Sequence, residues 1–193
     1  MAGSYAQIFA YGVFGIDAYR VSVEIDISAT PNDQAAIFQI VGLPEGAVRE
    51  SRDRVRAAIG NSGFWFPGGR VTANLAPADI RKEGVGFDLP LAIGLLVASR
   101  SLQSERLGDY AIVGELGLNG EVRGIRGALP LALGVRADRM KGLILPAANA
   151  REAAVVEEIE VIPVESIAEA VGFLNGETPI EPVRVNAKEM FET

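Results

Sequence analysis

The run from Tyr110 to Gly176 constrains the fold most, because strand-like and helix-like segments take turns along it. "GLILP" and "EVIPV" are short apolar runs, while "LPLALGVRA", "NAREAAVVEE" and "SIAEAVGFLNG" carry apolar residues at helical spacing. Short apolar runs divided by amphipathic helices are the pattern of α/β layering, in which helices cover the faces of a sheet. "YAIVGELGLNGEVRGIRG" reads as a hairpin that turns at Asn119-Gly120. Upstream, "YRVSVEIDIS" alternates Val21, Val23, Ile25 and Ile27 with polar residues, the period of a half-buried strand. "AIFQIVGL" and "RVTANLAP" read as two further strands, ended by Gly42-Leu43-Pro44 and by Pro77. Between them, Val48, Ser51, Val55, Ala58 and Ile59 form one stripe of a helix from Ala47 to Ile59, stopped by "GNSG". The spacing predicts a further helix over Leu89 to Ser99, with Asp88 at its N-terminus as a cap.

Composition removes several chemistries. The 193 residues contain no Cys and no His, so a disulfide framework, a thiolate metal site, a cysteine nucleophile and a histidine base are all excluded. No apolar segment reaches the roughly 18 residues of a membrane span, and the N-terminus lacks the basic-then-apolar pattern of a signal peptide. A cytoplasmic setting is expected. The net charge of −7 lies entirely in residues 150–193, where 3 basic side chains face 10 acidic ones. Residues 49–82 are locally basic, with seven Arg or Lys against three Asp or Glu.

Three clusters qualify as candidate sites. "KEGVGFD", residues 82–88, is built like a turn that presents a nucleophile or cradles a phosphate, yet it contains no Ser, Thr, Cys or His. No Gly-Lys-Ser/Thr occurs anywhere, so a phosphate-binding P-loop is excluded. Asp79, Glu83 and Asp88 could together bind a hard cation. Against that, Arg81 and Lys82 sit between them and compete, which favours a helix cap at Asp88 and solvated charges elsewhere. Arg49, Arg52 and Arg56 lie at i, i+3 and i+7 and share one helix face. That face is either a solvated, salt-bridged surface or a row of contacts to nucleic-acid phosphates. Glu50 and Arg54 form a separate i, i+4 pair.

Three long motifs, "GLPEGAVRESRDRVRAAIGNSGFWFP", "VTANLAPADIRKEGVGFDLPLAIGLL" and "VGELGLNGEVRGIRGALPLAL", resemble the N-terminal domain of the ComM/YifB family, bacterial AAA+ ATPases described as magnesium-chelatase-like. The resemblance runs from about Tyr5 to Gly176. It implies an α/β fold of the ribosomal protein S5 domain 2-like, Lon-protease-like type, with helices packed on a mixed sheet. One domain over 1–176 is expected, divided into lobes at about 1–106 and 107–176. Residues 177–193 are expected to be a linker toward an AAA+ module whose Walker motifs do not occur in this chain. Aligned with the Lon motifs, the catalytic serine falls on Gly86 and its lysine on Leu129. Neither residue can carry the reaction.

The resemblance therefore implies a chain that is not an enzyme and binds no cofactor, ATP and Mg²⁺ belonging to the AAA+ module. The implied role is support of a homo-hexamer and of DNA engagement in branch migration and natural transformation. Its partners would be DNA, its own AAA+ module and neighbouring subunits, with no membrane. Arg49, Arg52 and Arg56 are the candidate DNA contacts; no shared motif transfers that role to them. The alternative is a metal- or substrate-handling module of a magnesium-chelatase-like enzyme, using Asp79, Glu83 and Asp88.

Overall fold

The computed structural model describes residues 4–30, 37–186 and 188. Strands β1 (Ser4–Phe14) and β2 (Asp17–Ser28) form a long antiparallel hairpin closed by Gly15 and Ile16. Strand β3 (Ile37–Val41) is followed by helices α1 (Gly46–Arg49) and α2 (Ser51–Asn61), then by β4 (Arg70–Ala76) and α3 (Asp88–Ala98). Strand β5 (Tyr110–Ile112) leads into a small hairpin of β6 (Glu115–Leu116) and β7 (Val122–Arg123), and then α4 (Ala128–Ala137). Strand β8 (Gly142–Pro146), a 3-10 turn over Ala147–Asn149, α5 (Ala150–Ala153), β9 (Glu160–Val164) and α6 (Ile167–Leu174) complete the order.

Seven strands make one mixed sheet in the order β3-β4-β2-β1-β5-β8-β9. The α/β class holds. The expected lobes do not separate: β1 pairs in parallel with β5 through Phe9 and Ala111, so the sheet runs unbroken across residue 106. What divides the molecule is the sheet itself, whose two faces carry two cores. Successive residues of a strand point to opposite faces. Accordingly, Ile112, Ile144 and Ile162 join a cluster with α2, α3 and α6, while Ala111, Leu143 and Val161 join a second with α4 and α5.

Helix α3 is the centre of the larger cluster, with nearly every side chain buried. It lies close against the hairpin because Gly94 has no side chain: a Cβ there would come within 2.7 Å of Ile25 Cγ1 and 3.4 Å of Ile8 Cγ1. A helix apolar on all sides belongs in a core, as this one is.

Several boundaries differ from those the sequence predicts. The helix expected over Ala47–Ile59 is broken at Glu50 into α1 and α2, and Glu50 N–H still bonds back to Gly46 O at 3.0 Å. The expected hairpin splits: Tyr110–Ile112 enters the main sheet and only β6 and β7 pair across the Asn119-Gly120 turn. The helix expected over "NAREAAVVEE" is reduced to four residues. The segment after Gly176 does not leave the domain at once. Ile180 packs on the larger core, Val183 and Val185 on the smaller, and Val183 N–H donates to Val161 O at 2.8 Å along the β9 edge. Among the described residues no helix is long and apolar enough to cross a membrane.

Candidate functional site

The 82–88 turn is fixed at both ends by buried charges. At its start, Lys82 has no accessible surface, and its Nζ donates to Gly42 O at 2.8 Å and to Pro77 O. Its backbone takes part as well: Lys82 N–H donates to Leu43 O at 3.1 Å, and Lys82 O accepts from Glu45 N–H at 2.9 Å. The turn is thus tied to the connection between β3 and α1. Burial pushes the Lys82 ammonium below the usual lysine value, while Asp79 acts in the opposite sense.

At the other end stands Asp88, also without accessible surface. Its Oδ1 accepts from Ser51 Oγ at 2.5 Å and from an Arg54 terminal nitrogen at 3.1 Å. Its Oδ2 accepts from Arg54 Nε at 2.7 Å and from Leu116 N–H at 3.0 Å. Four donors from α2 and β6 therefore converge on one carboxylate. The hydrogen bond to Asp88 raises the Arg54 guanidinium further above its ordinary value, against the effect of burial. This corrects the expected cap: Asp88 occupies the first turn of α3, but its oxygens bond to other elements and not to the helix's own amides. The predicted Glu50–Arg54 pair is present at 3.7 Å, and it is peripheral to the Asp88 contact.

Between these anchors, Gly84 and Gly86 face a cleft of about 410 Å³. Its walls are Tyr11, Gly12 and Val13 of β1; Glu83 to Phe87 of the turn; Val113 and Glu115; Gly124, Ile125 and Arg126; and Leu131 of α4. Gly86 O accepts from Gly114 N–H, and Gly114 O accepts from Leu89 N–H, each at 3.0 Å, which joins the turn to the connection between β5 and β6. The Asn149 amide bonds both ways to the Ile125 backbone at 2.8 Å and holds the opposite wall. Among the described residues, no Ser, Thr, Cys, His or Lys lines the cleft. The hydroxyl in its wall, Tyr11 Oη, donates to Asp138 at 2.6 Å, and burial raises its pKa well above the usual tyrosine value.

Leu129 is not in this cleft. It lies 37% exposed on α4 in a separate depression with Arg151, Glu152, Val155 and Val185, so Gly86 and Leu129 do not share one cavity. Leu131 is the α4 residue that reaches the cleft wall. Glu83, Glu115 and Arg126 bring charge to the cleft, and the sequence offers no motif that marks the last two.

Asp79, Glu83 and Asp88 are not assembled. Asp79 and Glu83 border a separate apolar depression beside Phe14 and Tyr19, whereas Asp88 is sealed inside the Arg54 contact. No group of three potential metal ligands occurs among the described residues. Arg49, Arg52 and Arg56 are all exposed. Arg49 Nε donates to Pro44 O and Arg52 Nε to Arg49 O, each at 3.2 Å, and Arg56 lies 4.9 Å over the Phe66 ring. Asp53 is exposed among them, while Arg54 turns inward.

The family model for subunit ChlI of Mg-chelatase matches residues 23–149, the segment that contains both anchors and most of the cleft. Competence protein ComM of Haemophilus influenzae is 40% identical over 174 residues, covering 90% of this chain and 33% of that protein. The chain belongs to the ComM/YifB family of magnesium-chelatase-like proteins. YifB of Salmonella typhimurium is 39% identical over 180 residues, 92% of this chain and 34% of its own length. YifB of Escherichia coli is 45% identical over 130 residues, 67% of this chain and 25% of its own. The chain thus spans about a third of the length of the first two of these ComM/YifB relatives.

The clasp around Asp88 makes an asymmetric prediction. Arg54→Ala leaves a carboxylate buried with only two neutral donors and should cost about 3–5 kcal/mol. Asp88→Ala frees Arg54 to reach solvent and lets the Ser51 hydroxyl turn toward the Ala47 carbonyl that Arg54 vacates. Leu116 N–H is then the donor left stranded, and the change should cost about 1–3 kcal/mol. Urea unfolding of both variants checks the order; a larger destabilisation by Asp88→Ala than by Arg54→Ala would contradict it.

Proposed function

We propose that this chain is the non-catalytic N-terminal domain of a ComM-like AAA+ ATPase, supporting hexamer assembly and DNA engagement. The carrying observation is the cleft: a turn placed and braced like a catalytic one, lined largely by glycines and apolar side chains without a serine, threonine or lysine among the described residues. Nucleophilic acyl transfer needs an activated hydroxyl or thiol, and the hydroxyl of the cleft wall, Tyr11 Oη, is a phenol whose burial raises its pKa and so opposes the anionic form. We assign the fold to the ribosomal protein S5 domain 2-like, Lon-type class. The mixed sheet, with α3 entering directly after the 82–88 turn, supports that assignment. ATP and Mg²⁺ belong, on this reading, to an AAA+ module elsewhere in the full-length protein, and the setting is cytoplasmic.

DNA engagement is assigned to the exposed Arg49, Arg52 and Arg56. These guanidiniums project from α1 and α2, in the locally basic segment of a chain whose net charge of −7 otherwise opposes DNA. Contacts of this kind grip phosphates and carry no sequence information. The metal-handling alternative has no geometric support, because Asp88 is consumed by Arg54 and stands apart from Asp79 and Glu83.

Two outcomes are expected. The chain leaves fluorescent casein intact and takes up no fluorophosphonate, and Gly86→Ser alone remains inactive, since an unactivated serine is a weak nucleophile. Stoichiometric labelling of any serine in the unaltered chain would refute the non-catalytic reading.

For DNA, removing one cation from a backbone phosphate reduces the salt slope of binding by about 0.9 on B-DNA, so Arg49→Ala with Arg52→Ala should flatten it by about 2 units. Different sequences should weaken alike. Fluorescence anisotropy over a salt series decides this; an unchanged slope returns the arginine face to an ordinary solvated surface.

A further inference from the structure

Helix α2 runs into the loop Ser62–Gly69, "SGFWFPGG", whose three consecutive aromatic residues behave differently. Phe64 and Phe66 pack against the larger core, and Phe66 meets Phe38 edge-on with ring centroids 6.0 Å apart. Phe64 N–H donates to Ile59 O at 3.1 Å, and Pro67 is buried, so the loop is held on both sides of Trp65. Trp65 itself is 67% exposed. It is the chain's only tryptophan. An indole displayed on a braced loop adds little to the core and is preorganised for an external flat partner.

The charge that packs on the same loop, through Phe66, says which partner. Arg56, whose guanidinium lies 4.9 Å over Phe66, links the aromatic loop to the exposed row that continues through Arg52 and Arg49. An exposed indole on a loop that also seats the end of a row of guanidiniums is a combination suited to a single nucleic-acid strand, bases stacking on the ring and phosphates meeting the cations. A duplex has its base faces already covered by neighbouring pairs and offers the indole nothing to stack on. We infer that Trp65 is a stacking platform for an unpaired base, with the strand's backbone following Arg56 and Arg52. This rests on the DNA-engagement reading above and narrows it to single strands.

Because Trp65 is the sole indole, fluorescence excited at the red edge of the indole band, where the four tyrosines do not absorb, reports on this position alone. Titration of the chain with oligo(dT) should quench most of the emission at saturation, whereas a blunt duplex of equal charge should quench little. Base–aromatic stacking of about 1–3 kcal/mol corresponds to about 5- to 150-fold in affinity. Trp65→Ala should therefore weaken binding of labelled oligo(dT) by a factor in that range, Trp65→Phe should recover part of it, and duplex affinity should not move. The side chain is exposed, so both variants should keep the wild-type circular dichroism and melting temperature.

Equal oligo(dT) binding by wild type and Trp65→Ala, with unquenched emission, overturns the stacking role while leaving the arginine contacts standing. Failure of the wild type to bind either form of DNA overturns both readings together. Emission that changes with protein concentration and ignores DNA assigns the indole to a contact between copies of the chain, and overturns the proposal as well.

Discussion

One carboxylate, Asp88, connects the parts of this domain that sequence distance keeps apart. It stands at the head of α3, the most deeply buried helix, and takes hydrogen bonds from Ser51 and Arg54 of α2 and from the backbone of Leu116 in β6. A buried charge is costly unless every lone pair is engaged. Here all four donors are supplied, and no buried side-chain polar atom among the described residues lacks a partner. The arrangement fixes the exit of the 82–88 turn, while Lys82, bonded to Gly42 and Pro77, fixes its entry. A glycine-rich turn, which would otherwise be conformationally loose, is held between two buried ionic groups.

That bracing fixes the shape of the turn although no Ser, Thr, Cys, His or Lys lines the cleft among the described residues. Gly84 and Gly86 shape a cleft wall whose form does not depend on a catalytic hydrogen-bond network, because the supporting bonds run through the backbone of Gly114 and Leu89 and through Asp88. The exposed Arg52 and Arg56 lie on the same helix, α2, whose inward face supplies Ser51 and Arg54. One short helix thus anchors the turn on one side and presents charge on the other.

The sequence makes the layering legible where short apolar runs alternate with helical spacing. Strands β8 and β9 lie where "GLILP" and "EVIPV" place them, and α6 begins at Ser166, whose side chain accepts from Glu169 N–H. Strand β1 escapes notice although it sits mid-sheet, because its alternation is carried partly by Ala6 and Ala10, which are weak β-formers. The site is legible as a motif and illegible as a network. Periodicity places Ser51 on an apolar stripe and Asp88 at a helix start, but nothing local says that the two meet across 37 residues. Arg54 follows the same logic: its i, i+4 spacing points to Glu50, and its stronger partner comes from tertiary packing. Leu129 shows the limit of motif alignment, since a residue matched by spacing sits on the outside of α4 while Leu131 lines the cleft.

The central claim is that Asp88 locally holds the turn and the β6–β7 hairpin in place, and amide hydrogen exchange on an Asp88→Asn variant tests it most directly. Asn keeps the shape and one acceptor but removes the charge that Arg54 and Leu116 N–H share. Exchange should accelerate at Gly114, Leu116 and the first turn of α3, while amides of α4 and α5, which belong to the other core, keep wild-type protection. Unchanged protection at Leu116 and Gly114, or a uniform drop across both cores, would contradict the account.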